Sequence, residues 1–282
     1  MKRNDNWYNE NKEIILTKYY NNASIDDICN ELLCCKSKIY QKLNDWNIKR
    51  RKMVHKVARH NAKYDVDYNY FKNIDNEHKA YWLGFMLADG FVNEKEISFC
   101  LQKKDKYMIE LFLKDLKSNH PIKYNKDNNP FVTITCKQIC DDLINKGFHN
   151  RKSWYIDFNK VISFVPTYLF NHFIRGMFDG DGCIKYYKYD YLNKPQYHFG
   201  YTGLENVCEY LKGLFKIERP LVHEGSKTFT LVTRNPTKIN EIFDYLYKNS
   251  TIYMDRKYET FKAIKMMTFN DYNKAISTEI KV

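Results

Sequence analysis

The 282-residue chain lacks most of the marks of a secreted, membrane-spanning or zinc-dependent protein. No stretch approaches the ~18 consecutive apolar residues of a membrane span. The opening Met1-Lys2-Arg3-Asn4-Asp5-Asn6-Trp7 has no apolar run that serves as a secretory signal. The eight cysteines are scattered, with Cys34 and Cys35 adjacent and Cys136 and Cys140 four apart, and no pair has the spacing of a zinc ribbon or thioredoxin motif. They read as free thiols. The eight histidines fall in no HExxH-like frame, so a metal has to be sought among carboxylates. Acidic residues are in deficit too: 34 Asp and Glu face 46 Lys and Arg, a net charge of +12. A field of that sign attracts polyanions and makes nucleic acid the leading partner class. The expected location is inside the cell, in a bacterial or phage-host cytoplasm or an organelle matrix, with no membrane partner.

What the chain has in excess is aromatic residues, 16% of the total with 24 Tyr, far too many for a disordered basic tail. The length suits one large domain or two to three smaller ones. Residues 10–50 read as short helices. Glu13-Ile14-Ile15-Leu16 with Tyr19-Tyr20 is followed by a turn at Asn21-Asn22-Ala23, then Ser24 as N-cap of a helix ending near Leu33. A further helix from Lys36 to Trp46 places Ile39, Leu43 and Trp46 on one face and Lys36, Ser37, Lys38, Gln41 and Lys42 outward. Helix, tight turn and basic second helix make a helix-turn-helix pattern, with Lys36, Lys38 and Lys42 expected at DNA. Lys49-Arg50-Arg51-Lys52 opens a basic and polar linker in which Arg50 and Arg51 are placed against phosphates.

From residue 76 onward the chain repeats itself. Ala80-Tyr81-Trp82-Leu83-Gly84-Phe85-Met86-Leu87-Ala88-Asp89-Gly90 is answered by Asn171-His172-Phe173-Ile174-Arg175-Gly176-Met177-Phe178-Asp179-Gly180-Asp181-Gly182, with Gly84 matching Gly176 and Asp89 matching Asp181. Each copy continues with two strands, a helix, two strands and a helix: 91–92, 97–102, 106–116, 122–125, 131–136 and 138–146, then 183–189, 197–202, 205–217, 221–223, 229–233 and 237–248. Each ends in a basic pair, Arg151-Lys152 and Arg256-Lys257. The domain reading is a helix-turn-helix over 1–55, a linker over 56–75, and repeat copies over 76–160 and 161–282.

On a helix, Gly84 and Ala88 share one face, as do Gly176 and Gly180, so two strips almost without side chains can pack backbone to backbone. Gly90 and Gly182 are expected to end the helices, leaving Asp89 and Asp181 at their last turns. Parallel pairing then brings the carboxylates together. A carboxylate at a helix C-terminus opposes the macrodipole, and two such groups repel, so a cation is expected between them. Mg2+ takes hard oxygen ligands and bridges to phosphate, which suits metal-assisted phosphodiester hydrolysis beside a basic surface. Asp179, matched by Leu87, is read as ordinary.

On these residues the chain resembles the LAGLIDADG homing endonucleases in their single-chain, two-motif form, over residues 76–267. The resemblance implies an α+β fold of two pseudo-symmetric αββαββα subdomains. Their motif helices form the central interface and their antiparallel sheets make a saddle over the DNA major groove. It implies a monomer on double-stranded DNA that leaves double-strand breaks with 3′ overhangs at a long asymmetric target. Asp89 and Asp181 would bind Mg2+, with the carbonyls of Ala88 and Gly180 nearby and Mn2+ or Ca2+ able to substitute for binding. Lys152 and Lys257 fall where the family places a basic residue that polarises solvent or stabilises the phosphorane. Gln102 or Lys103 fits the polar position after the second strand. Thr202-Gly203 in the second copy, and Trp82, Leu83 and Arg175 in the motifs, depart from the family's pattern, so the halves are expected to be unequal, with room for a nicking preference. The same scaffold also serves RNA-binding maturases and is compatible with an inactive clamp in a regulator. Counting by two along the strands puts Phe91, Asn93, Lys95, Cys183, Lys185, Tyr187 and Tyr189 on the acid-bearing face. Residues expected near DNA are Asn93, Lys95, Ser98, Cys100, Lys123, Lys126, Lys185, Tyr187, Lys188 and Arg234.

Overall fold

The computed structural model describes residues 3–20, 23, 25–48, 63–150, 154–189, 195–225 and 227–279. The chain divides into two units, Met1–Lys63 and Tyr64–Val282. The first holds α1 (Asp5–Glu10), α2 (Lys12–Tyr20), α3 (Ile25–Leu32) and α4 (Lys36–Asp45) around a core of Tyr8, Ile15, Tyr19, Ile28, Ile39 and Leu43. The turn between α3 and α4 bends through Leu33, which takes a left-handed φ of 50°, and the Tyr8 hydroxyl accepts from the Cys35 amide at 2.9 Å. The expected helix, turn and second helix are therefore present, preceded by a short α1 that the sequence reading passed over. Ser24, Arg50 and Arg51 lie outside the described residues.

The outward placement of Lys42 is corrected. Its side chain is 6% exposed and points to Asp5, 3.6 Å away, while Lys38 donates to the same carboxylate at 2.8 Å. Asp5 of α1 supplies the counter-charge of Lys42, with Asp45 at 3.9 Å. Lys36, Ser37, Gln41 and Asn44 form the exposed face of α4.

The second unit repeats one pattern. Its first half runs α5 (Glu77–Ala88), β1 (Phe91–Val92), β2 (Ile97–Cys100), α6 (Lys106–Asp115), β3 (Lys123–Tyr124), β4 (Pro130–Ile134) and α7 (Lys137–Asn145). After α8 (Phe158–Ser163) the second half runs α9 (Phe170–Asp181), β5 (Gly182–Tyr187), β6 (Gln196–Leu204), α10 (Glu205–Phe215), β7 (Val222–Gly225), β8 (Thr228–Thr233), α11 (Pro236–Tyr247) and α12 (Asp255–Glu279). Each half forms an antiparallel four-stranded sheet of the same order, β1-β2-β4-β3 and β5-β6-β8-β7. Alternation explains which face each sheet buries: Ile97 and Phe99 point inward while Ser98 and Cys100 point out. Phe99 packs edge-on against Phe112 of α6, and Phe199 stacks on Phe178 of α9 at 5.0 Å.

The linker expected over 56–75 ends early. Tyr70, Phe71 and Ile74 are buried in the main core, and Asp67 and Asn119 bond across to Leu116 and Asp65, so residues from 64 onward belong to the folded second unit. No helix among the described residues is long and apolar enough to cross a membrane, and no disulfide links the described cysteines.

Candidate active site between the paired helices

Helices α5 and α9 meet through their glycines. A Cβ on Gly84 would stand 2.0 Å from the Phe173 carbonyl oxygen, and one on Gly176 would stand 2.0 Å from that of Tyr81. Further along, a Cβ on Gly180 would be 2.3 Å from that of Ala88. Contacts advance in the same direction on both helices, so they run parallel and closer than the usual ~8–10 Å between axes. Gly84, Ala88, Gly176 and Gly180 line this contact.

Both acidic residues arrive at the same end. Asp89 caps α5, Asp181 is the last residue of α9, and both are exposed. The Asp89 Oδ2 lies 3.4 Å from the Cβ position of Gly180, across the last turn of the partner helix. Burial raises the Tyr201 phenol well above its ordinary range, and both Asp181 and Asp89 add to the rise. The glycines after the acids are needed for a reason other than the one expected. Gly182 has φ −77°, an ordinary value, but a Cβ there would fall 2.1 Å from the Phe178 ring. Space over the last turn, not a left-handed backbone, excludes a side chain.

Behind the acids sits Lys257, 3% exposed, whose ammonium donates to the carbonyls of Phe178 at 2.7 Å, Asp179 at 2.6 Å and Gly180 at 3.1 Å. A lysine has three protons to give, and all three are engaged here. In this arrangement Lys257 clamps the end of α9. The positive charge also complements the helix C-terminus. Burial lowers its pKa to about 8, opposed chiefly by Asp179 and more weakly by Asp89 and Asp181.

Asp179, expected to be ordinary from its match with Leu87, is the centre of this support. It is fully buried and accepts from the Tyr81 hydroxyl, the Tyr247 hydroxyl and the Met254 amide, each at 2.8 Å. Burial pushes its carboxyl up while Lys257 and these donors hold it toward the charged form. At the other end of the helix pair the unusual Arg175 is fully buried. It donates to Glu77 at 2.7 Å and to the carbonyls of Leu246 and Ile252. Acids and bases buried inside an apolar helix were the available signal, because a charge there needs a partner.

Two carboxylates and nearby carbonyl oxygens are hard donors and fit a divalent cation. Gly180 O already serves Lys257 and retains one lone pair. Among the described residues no group of three His, Cys, Asp or Glu side chains is arranged around a metal. Lys152 lies outside the described residues. Gln102 is exposed two residues past β2, at the entry of a 3-10 turn over Lys103–Asp105, because the strand stops at Cys100. Thr202 does not end β6, which continues to Leu204; its hydroxyl pairs with Thr230 at 2.8 Å.

The open sheet faces carry most of the expected contact residues. Ser98 stands opposite Phe91 and Thr133, Cys100 opposite Phe131, and Lys123 opposite Phe131. Cys100, Lys123, Lys126, Lys185, Tyr187, Lys188 and Arg234 are exposed and Ser98 half-buried. The parity argument fails at Asn93 and Lys95. β1 is only two residues long, and Asn93 turns the hairpin by accepting from the amides of Lys95 and Glu96. His198 lies on β6 and exposed Arg219 in the loop ahead of β7.

Among solved structures the chain is similar to the LAGLIDADG homing endonuclease I-LtrWI bound to target DNA, at 15% identity and TM-score 0.52, over 76% of this chain and 96% of that one. It is also similar to the LAGLIDADG meganuclease I-AabMI bound to uncleaved DNA, at 15% identity and TM-score 0.50, over 71% and 92%. A third is the meganuclease I-SmaMI bound to uncleavable DNA, at 13% identity and TM-score 0.52, over 71% and 91%. No protein-family model and no curated protein matches the chain. The likeness establishes a fold that the resemblance in the sequence had implied.

Proposed function

We propose that a chain with the LAGLIDADG homing-endonuclease fold and this pair of acids is a site-specific double-strand DNA endonuclease, working as a monomer with Mg2+ and leaving 3′ overhangs at a long asymmetric target. The observation that carries the proposal is the arrival of Asp89 and Asp181 at one end of two glycine-paired parallel helices, between two sheets with polar, basic open faces. DNA-bound structures share the fold, and one relative was solved with calcium ions. Mn2+ or Ca2+ is expected to support binding in place of Mg2+.

In this reading Asp89 and Asp181, with the carbonyls of Ala88 and Gly180, hold the divalent metal. When bound, it supplies Lewis-acid stabilisation of the phosphoryl oxygens and lowers the pKa of attacking water. Asp89 and Asp181 would place it beside the scissile phosphodiester, where hydrolysis adds water oxygen to phosphorus as the P–O bond to the leaving oxygen breaks, the water's proton passing by way of solvent to that oxygen. Lys257 fixes the end of α9 and so the position of Asp181. Lys152 supports the first half's site by polarising solvent or stabilising the phosphorane, and Gln102 supports the solvent around Asp89. Lys185, Tyr187 and Arg234 of the second sheet and Ser98, Cys100 and Lys123 of the first line the groove, with Lys95, Lys126 and Lys188 at its rims. Lys36 and Lys38 of α4 and Arg50 and Arg51 after it add contacts at one end.

The test is incubation of the purified protein with uninterrupted DNA spanning its own gene's insertion point, with Mg2+ and with chelator. Discrete Mg2+-dependent breaks lost in Asp89→Asn and in Asp181→Asn are expected, with binding retained. Tight binding without breaks would replace the nuclease by a regulator or an RNA-binding maturase.

A further inference from the structure

We propose that the open face of the second sheet holds one backbone phosphate of duplex DNA in a clamp of Lys185, His198, Arg234 and Arg219, with the His198 ring donating to it. The proposal rests on the DNA-binding reading above and adds to it a proton-coupled contact.

The register builds the clamp. Lys185 of β5 lies directly opposite His198 of β6, and Phe199 of β6 pairs with Thr233 of β8. Continuing that antiparallel register by one residue brings Arg234 to the other side of His198. Directly opposed residues on one face have Cβ atoms roughly 4.5–5.5 Å apart, so the ring is flanked by a cation on each side. Arg219, in the loop ahead of β7, adds a third charge acting on it. All the charges acting on His198 among the described residues are positive, and none of the three cations is held in an ion pair there.

A glycine makes room for the ring. A Cβ on Gly200 would stand 3.1 Å from His198 Nε2, so the imidazole leans along the strand toward position 200. Gly200 pairs with Cys183, two residues from Asp181, so the ring points toward the acid end of the sheet. Lys185 is four residues from Asp181, roughly 13 Å along a strand. That is the reach of a backbone phosphate a step or two from the bond at the acids.

Three cations around a half-buried imidazole repel one another and disfavour its charged form, through burial first and then Arg234, Lys185 and Arg219. A phosphate set among them removes both penalties. Its charge offsets the cations, and the protonated ring then donates to it in a charge-assisted hydrogen bond. A base edge offers no such charge, which favours the backbone as occupant.

The full-length protein is titrated with a mixed-sequence duplex of about 30 base pairs, without divalent metal, at pH 6 and pH 8 over a range of salt. Wild type is expected to bind about fivefold more tightly at pH 6 than at pH 8, with the salt slope steeper by about 0.9. His198→Gln loses both effects, and His198→Lys binds at pH 8 as wild type does at pH 6. A pH response surviving intact in His198→Gln, or a folded His198→Lys no tighter than His198→Gln at pH 8, overturns the clamp while leaving DNA binding in place. Absence of duplex binding by wild type at every pH removes the DNA reading with it. The histidine NMR signal assigned by His198→Gln is followed in parallel. A downfield shift with duplex, and not with inorganic phosphate at the same phosphate concentration, is expected. An equal shift with inorganic phosphate would give the site to the free anion instead.

Discussion

Asp179 and Lys257 bind the candidate active site to the rest of the fold through four segments of chain: α5 by Tyr81, α9 itself, α11 by Tyr247 and the start of α12 by Met254 and Lys257. Removing one partner of a buried charge set leaves the other unpaired in a low-dielectric site. Asp179→Asn is therefore expected to lower unfolding stability by about 3 kcal/mol, read by urea denaturation, with a smaller loss for Tyr247→Phe. A second residue-scale prediction concerns His78, whose ring nitrogens contact Asp115 at 2.6 Å and Thr251 at 3.2 Å. The hydrogen bond to Asp115 raises its pKa above the ordinary 6.5. A raised folded-state pKa contributes stability that is fully present below the unfolded value and lost as pH climbs through the folded one. The melting-temperature gap between wild type and His78→Gln should be widest below pH 6.5 and close on the alkaline side. A gap that grew with pH would contradict the assignment.

At the scale of elements, the contact between α5 and α9 tolerates no added atom. Overpacking a core costs typically 1–3 kcal/mol, and here the obstacle is a backbone carbonyl that has no rotamer to change. Gly176→Ala is expected to cost about 3 kcal/mol or more in thermal unfolding, against a near-neutral Gly213→Ala, whose Cβ would meet nothing within 4 Å. These helices were legible because glycine and acid recur in register 92 positions apart, and strand parity and helix periodicity located most other elements to within a residue or two. Parity failed at Asn93 and Lys95, where the strand is too short to alternate. It also could not place Arg175 or Asp179 in their networks, whose partners Glu77 and Tyr247 lie 98 and 68 residues away. Pairings of that range depend on the finished packing, so local pattern carries only the hint that a buried charge has a partner.

Over the whole molecule, charge is unevenly shared. Residues 1–63 hold 14 Lys and Arg against 7 Asp and Glu, so this fifth of the chain carries +7 of the net +12. Each phosphate neutralised adds about 0.9 to the salt slope of duplex binding. Deleting residues 1–63 should therefore flatten the slope by several such steps and shorten the nuclease footprint at one end while leaving the second unit folded by circular dichroism. An unchanged footprint would remove the first unit from the DNA.

The seam of Gly84 and Gly176 has one more implication for the proposed nuclease. Main chain touches main chain there, so the spacing of the two blades contains no part that a surface mutation can lengthen or trim. In the proposed nuclease, drift across the sheets would send the protein to a new address while the stagger of its cut stayed fixed by this seam.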